Sequence, residues 1–147
     1  MMEVNISIGT NEIYDDVYAI TSNTGKAMED IDKASLSEDD MSIIGPFFNE
    51  SASELGGIIS NYGTVSFDSD SISVSLLLPS NWDEGVKDSL AQCIKNYISN
   101  SICQRWFYIS KKDDSEYYSE KVTVNAKNME SLLNRHKKPE REVKYGN

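Results

Sequence analysis

Histidine is almost missing from this 147-residue chain: His136 is the single one, and its neighbours Arg135, Lys137 and Lys138 are all cationic. A Ser/His or Cys/His nucleophile pair is therefore not expected, because a catalytic base must be held beside the group it activates. Cysteine is as sparse. Cys93 and Cys103 are the only two, and ten positions along one helix puts them ~15 Å apart, too far for a disulfide. They read as two small buried thiols, kept reduced as in a cytoplasm. Three scattered His and Cys side chains exclude a metal site of the zinc type. No run approaches the ~18 apolar residues of a membrane span. The start, Met1-Met2-Glu3-Val4-Asn5-Ile6, lacks the basic and apolar stretches of a signal peptide, so neither membrane insertion nor secretion is expected.

Positive charge is also missing from most of the chain. Residues 1–92 hold 17 Asp/Glu against 3 Lys/Arg, residues 93–130 hold 5 against 6, and residues 131–147 hold 2 against 5. Such a body repels nucleic acid. Only the end of the chain, with Arg135, His136, Lys137, Lys138, Arg141 and Lys144, is suited to a polyanion or to the acidic body of a neighbouring copy; a solvated tail that aids solubility is the plainer alternative. With hydrophobic residues at 39%, one domain of this size can bury its own core.

Met2–Ile8 alternates, with Val4, Ile6 and Ile8 on one side, and predicts a half-buried strand. After Gly9, Thr10 or Asn11 is placed to cap a helix whose stripe is Ile13, Val17 and Ile20, with Gly25 as its terminator. Residues 26–36 look like a connector. Ser37-Glu38-Asp39-Asp40 opens a second helix, its acids suited to the positive end. Met41, Ile44, Phe48, Leu55 and Ile59 form its buried face, and Gly45-Pro46 is expected to interrupt or kink it. Thr64–Phe67 and Ile72–Leu78 predict a hairpin around Asp68-Ser69-Asp70-Ser71. Pro79–Glu84 opens the longest helix, with Ser80 and Asp83, or Asn81 and Glu84, resembling a capping box. Trp82, Val86, Leu90, Ile94, Tyr97, Ile98, Ile102, Trp106 and Ile109 make that helix, from about residue 81 to 109, the spine of the core. Lys111–Asp114 turns the chain. Residues 115–135 then form a last helix, with Tyr118, Val122, Met129 and Leu132 inward and Val122-Thr123-Val124 as its weak stretch. Pro139 ends any helix, leaving Glu140–Asn147 extended.

The remaining motifs fail as chemistry. Thr21–Ala27 resembles the end of a phosphate-binding loop but lacks the first glycine and follows a helix. Counted from Asp68, a calcium loop needs glycine and glutamate where Ser73 and Pro79 stand, so a polar turn is the better reading. Glu38, Asp39 and Asp40 are consecutive on a helix start and do not face one another as hydrolytic acids do. Trp82, Trp106, Phe107, Tyr108, Tyr117 and Tyr118 could stack bases, but beside an acidic body they read as core or interface aromatics.

The order of these signals resembles a set of short virion structural proteins of gut Bacteroidales phages, crAss-like phages included. The likeness runs from the N-terminal strand through Val17–Met28 (VYAITSNTGKAM), Ser37–Met41 (SEDDM) and Phe47-Phe48-Asn49-Glu50 to Trp106-Phe107 and Lys137-Lys138-Pro139. Gly45-Pro46 departs from the unbroken helix of that pattern. The resemblance implies a non-catalytic subunit of a neck or head–tail connector ring, a portal-adaptor protein. Dodecameric rings are among its forms, with portal and tail proteins as partners. It implies assembly in the host cytoplasm into a virion, and no catalytic residue carries over. DNA would pass without specific binding.

Together these readings predict an α+β fold with about four helices and a small antiparallel sheet, built from the N-terminal strand and a central hairpin. Residues 1–136 would form one globular domain and residues 137–147 an extended basic tail. No catalytic, cofactor or metal residue is expected. The expected interface comprises Glu38, Asp39, Asp40, Lys137, Lys138, Arg141, Val143 and Tyr145, with the tail of one copy meeting the acids of the next. A soluble cytoplasmic adaptor, or an acidic inhibitor that binds a basic protein, is the alternative.

Overall fold

The alternating N-terminus forms strand β1 (Met2–Gly9), which runs without a loop into helix α1 (Thr10–Ala27). The computed structural model describes residues 1–27, 41–110 and 112–137. After α1 come α2 (Met41–Ile58), the hairpin β2 (Gly63–Phe67) and β3 (Ser71–Leu78), a 3-10 turn (Glu84–Val86), α3 (Lys87–Ser110) and α4 (Lys112–Leu133). Among the described residues this is the expected α+β architecture, with four helices and one three-stranded antiparallel sheet in the order β1-β3-β2.

The register explains why the sheet is one-sided. Val4 faces Leu76, Ile6 faces Val74 and Ile8 faces Ile72, and all six are buried. Directly opposed residues share a face, so the other side collects Asn5, Ser7, Ser73, Ser75, Thr64 and Ser66. Gly63 is required where β2 begins, because a Cβ there would lie 1.9 Å from the Ser75 carbonyl oxygen.

Helix α3 is the spine, as its periodicity predicts, and it packs against α1, α2, α4 and β1. From Tyr97 to Cys103 it is buried on every side, Ser99, Asn100 and Ser101 included. Polar positions inside that stretch were outside the predicted stripe. Its start differs from expectation: Trp82 precedes the helix, and Asp83 caps the 3-10 turn by accepting from the Gly85 N–H at 3.0 Å. Ile109, expected inside, is 63% exposed near the far end of the helix.

Several local expectations are corrected. The helix α1 continues through Gly25 to Ala27, since glycine costs about 1 kcal/mol in a helix but does not oblige it to stop. Thr10 makes no side-chain cap, as its buried Oγ1 has no partner. Of the two expectations at Gly45-Pro46, interruption is overturned, since the helix α2 runs through both residues. Proline removes one backbone bond there, while Ile44 and Phe48 on either side of it are both buried. The weak stretch Val122-Thr123-Val124 is helical as predicted, and Thr123 donates its hydroxyl back to the Ser119 carbonyl at 3.1 Å, a common way for threonine to sit in a helix. The last helix begins at Lys112 rather than 115. The predicted start of the second helix at 37–40 and the connector at 28–36 lie outside the described residues.

Leu90 and Ile94 are fully buried on α3. Leu90→Ala or Ile94→Ala should each lower stability by about 2–5 kcal/mol, read as a shift in the urea midpoint at unchanged slope.

Candidate functional site

Two polar constellations and one exit point carry the side chains that could meet a partner. The densest constellation joins α2 to α3. Residues 50, 51 and 54 share one face of α2, and residues 101 and 105 are one turn apart on α3. Arg105 donates from Nε to Glu50 Oε2 at 3.0 Å, from Nη1 to Ser51 Oγ at 3.1 Å and to Ser101 Oγ, and from Nη2 to Glu54 Oε1. The Ser51 hydroxyl donates to Ser101 Oγ at 2.9 Å in the interior. The guanidinium is 19% exposed whereas both carboxylates are more than half exposed. Tyr97 lies beside this cluster, and burial, reinforced by the Glu54 carboxylate, raises its phenol. The arrangement is a clamp: a fork of donors held by two acids and two hydroxyls. Sequence reading missed it, although the Glu50/Glu54 and Ser101/Arg105 spacings were visible. Next to it a groove of about 330 Å³ is lined by Phe47, Gln104, Tyr108 and Ile109.

The second constellation is an amide-rich cleft of about 570 Å³ between α3 and α4, with Gln92, Asn96, Asn125 and Asn128 in its walls. Asn100 Nδ2 donates to Asn125 Oδ1 at 2.9 Å, and Cys93 Sγ donates to the Asn125 carbonyl at 3.2 Å. Burial raises the Cys93 thiol. Burial, then the Asp16 carboxylate, pushes Cys103 up to about 12, against a smaller opposing effect of Lys121. Both cysteines are free and buried. Thiols held protonated in this way are poor nucleophiles at neutral pH.

The exit point is the end of the described chain. Trp82 is fully buried and donates Nε1–H to the Leu132 carbonyl at 2.9 Å. It forms an antiparallel bridge with His136, flanked by Asp83 N–H to the Arg135 carbonyl at 2.9 Å and Lys137 N–H to the Asn81 carbonyl at 2.7 Å. Residues 135–137 are thus stapled to residues 81–83. Lys137, the first tail residue, is exposed but fixed at its backbone. Of the expected interface, Glu38, Asp39, Asp40, Lys138, Arg141, Val143 and Tyr145 lie outside the described residues.

The sequence motifs tested for chemistry find other roles where they are described. Asp68 Oδ1 accepts from the Asp70 N–H at 2.7 Å and the Ser71 N–H at 2.9 Å. These bonds, Ser71's first, hold its carboxyl below the usual range, which is the polar turn that was expected. The Thr21–Ala27 segment is helical. Among the described residues no group of three or more His, Cys, Asp or Glu converges in a metal-holding arrangement, and no helix is long and apolar enough to cross a membrane. No protein-family model, curated protein or solved structure matches this chain.

Two outcomes follow from these geometries. Arg105→Ala should cost about 1–3 kcal/mol, because it strips buried hydroxyls of a donor, whereas Glu50→Gln, at an exposed acid, should cost no more than about 1 kcal/mol; urea unfolding of both variants separates them. Cys103 is raised above its unfolded value, so its contribution to stability is complete below about pH 8.5, the ordinary thiol range. It is lost as pH rises towards about 12. Thermal unfolding between pH 8 and 11 should show Cys103→Ala losing less stability over that range than the unaltered chain.

Proposed function

We propose that this chain is a non-catalytic virion assembly subunit that forms a ring at the neck, or head–tail connector, of a phage. The observation that carries the reading is the treatment of charge. The body is strongly acidic, and several of its few cations are already engaged. Lys95 pairs with Asp16 at 3.5 Å, Arg105 with Glu50 and Glu54, and Lys112 and Lys121 lie over the rings of Tyr108 and Tyr117. With 24 acids against 14 Lys/Arg in the chain, and Lys95 and Arg105 already paired with acids, the body is a poor holder of phosphates, which suits a wall along which DNA slides without sticking. The resemblance to short virion proteins of gut Bacteroidales phages supports the same reading, as does the fixed exit of the basic tail at Lys137.

In this reading the partners are further copies of the chain and the portal and tail proteins above and below. The tail residues Lys137, Lys138, Arg141, Val143 and Tyr145 carry the contact between copies, with Glu38, Asp39 and Asp40 as one acidic acceptor. No reaction, cofactor or metal is assigned.

Native mass spectrometry of the purified protein should find one closed oligomer, and proteomic analysis of purified particles should detect the chain. Removing residues 138–147 should leave the fluorescence of buried Trp82 unchanged and weaken the oligomer. A monomer or dimer absent from particles, which captures a basic protein instead, would favour the adaptor or inhibitor. A truncated chain that assembles normally but loses salt-sensitive DNA binding would make the tail a nucleic-acid arm.

A further inference from the structure

We propose that the cavity where the start of α1, helix α2 and the β2–β3 turn meet is a binding site for an alkylammonium group, held against three aromatic rings beside the Asp68 carboxylate. This goes beyond the ring reading and does not depend on it.

The cavity follows from where three elements put their side chains. Tyr14 belongs to α1, Phe48 to α2, and Phe67 ends β2. Phe48 is the shared neighbour: its ring centroid lies 5.8 Å from that of Tyr14 and 6.0 Å from that of Phe67. Phe48 is buried, Tyr14 is half-buried and Phe67 is exposed. Phe48 is therefore the floor, and the other two rings rise beside it. All three line one cavity of about 500 Å³, with Asn49 and Asp68 at its rim. The space is open on the α2 side, since a Cβ added at Gly45, another wall residue, would meet nothing within 4 Å.

The ring planes select the shape of the occupant. Tyr14 is tilted by 48° from Phe48, and Phe67 stands at 79° to it. A flat group such as a nucleobase gains most from a ring lying parallel to it, and three planes so inclined give it no common slot. A compact cation has no such need, because each ring attracts it separately within about 6 Å of the centroid. Rings set at angles around an alkylated ammonium are a recurrent solution to this recognition problem.

Charge selects the sign. No Lys or Arg is among the wall residues. Asp68 spends Oδ1 on the Asp70 and Ser71 N–H groups, and Oδ2 takes no part in those bonds. The same bonds hold its carboxyl below the usual range, so it is a carboxylate at neutral pH. A helix start by itself favours an anion, and α1 starts here. Its Thr10 N–H, however, already donates to the Asp70 carbonyl at 2.9 Å, and its first turn carries Glu12. An anion in this cavity would meet Asp68 with no cation to offset it.

The group has two sources, a small free cation or the lysine side chain of another protein. The test separates them. The full chain, labelled with nitrogen-15, is titrated with choline, with Nα-acetyl-lysine methylamide and with 3,3-dimethylbutan-1-ol, which has the shape of choline without its charge. Amide shifts are expected at Phe67, Asp68 and Ser69 with at least one of the cations, and the alcohol should bind about tenfold more weakly than choline or not at all. Asp68→Asn keeps the oxygen that accepts from the turn and removes the charge. Phe67→Leu keeps an apolar side chain and removes a ring. Each should weaken cation binding about fivefold, with shifts elsewhere in the spectrum unchanged. A stronger response to choline makes the ligand a free cation, and a stronger response to the lysine derivative makes it a protein side chain; either supports the site. Equal binding of the alcohol makes the cavity merely apolar and overturns the proposal. So does binding of inorganic phosphate in place of the cations, or cation binding that both variants leave intact. No shift with either cation at about 100 mM, where a Kd of several millimolar is saturated, overturns it as well. The comparison of choline with the alcohol needs no variant, so it decides even where a substitution unfolds the chain.

Discussion

Burial of α3 on all sides is the constraint on which the other elements depend. A helix with one apolar stripe needs one neighbour, but the stretch Tyr97–Cys103 presents buried residues at every position and so needs cover from every direction. It receives α4, α2, α1 and β1. That enclosure brings Asn100 and Ser101 inside with Leu90, Ile94, Ile98 and Ile102, and most buried polar groups are bonded, although the neighbouring Ser99 hydroxyl is not. Asn125 on α4 answers Asn100, and Ser51 on α2 answers Ser101. Each bond is therefore also an orienting contact, since a bond of this kind can be made only at one rotation and one height of the partner helix. The apolar core supplies the driving force; these amide and hydroxyl pairs select which packing is occupied.

The same logic explains how much could be read from residues alone. The sheet was legible because period two is strong in Val4-Ile6-Ile8 and Ile72-Val74-Leu76-Leu78, and Asp68 marks its turn by capping two backbone N–H groups. The spine was legible from its three- and four-residue steps. The polar positions of α3 were not, because Ser99, Asn100 and Ser101 look like a solvated turn until the helices around them are known. Gly25 as a terminator and Gly45-Pro46 as an interruption were misjudged, because each is a local penalty of about 1–3 kcal/mol that does not by itself stop a helix; at Pro46 the buried Ile44 and Phe48 lie on either side. The Arg105 clamp was hidden because its partners lie about fifty residues away, at Glu50, Ser51 and Glu54, and no local pattern carries a contact of that range. Of the expected interface residues, Lys137 alone lies within the described part of the chain.

Trp82 illustrates how one side chain couples fold and exit. It was read as the first residue of a helix stripe, yet it precedes the helix, and its indole N–H reaches the end of α4 at Leu132. That bond, with the backbone bonds from Asp83 and Lys137, closes the loop formed by α3 and α4. The backbone position of Lys137, the last described residue, is thus tied to the core through residues 81–83.

Charge limits how copies of this chain could associate under the proposed ring. Two bodies that are each acidic over residues 1–92 would repel one another, and that repulsion is screened beyond ~8 Å at physiological salt. Basic residues near the end of the chain would offset part of it, but the same salt weakens that attraction, and single exposed pairs are worth only ~0–1 kcal/mol. Electrostatics alone would therefore give loose contacts without register, so a ring of fixed geometry would have to draw its register from desolvated apolar or hydrogen-bonded contacts.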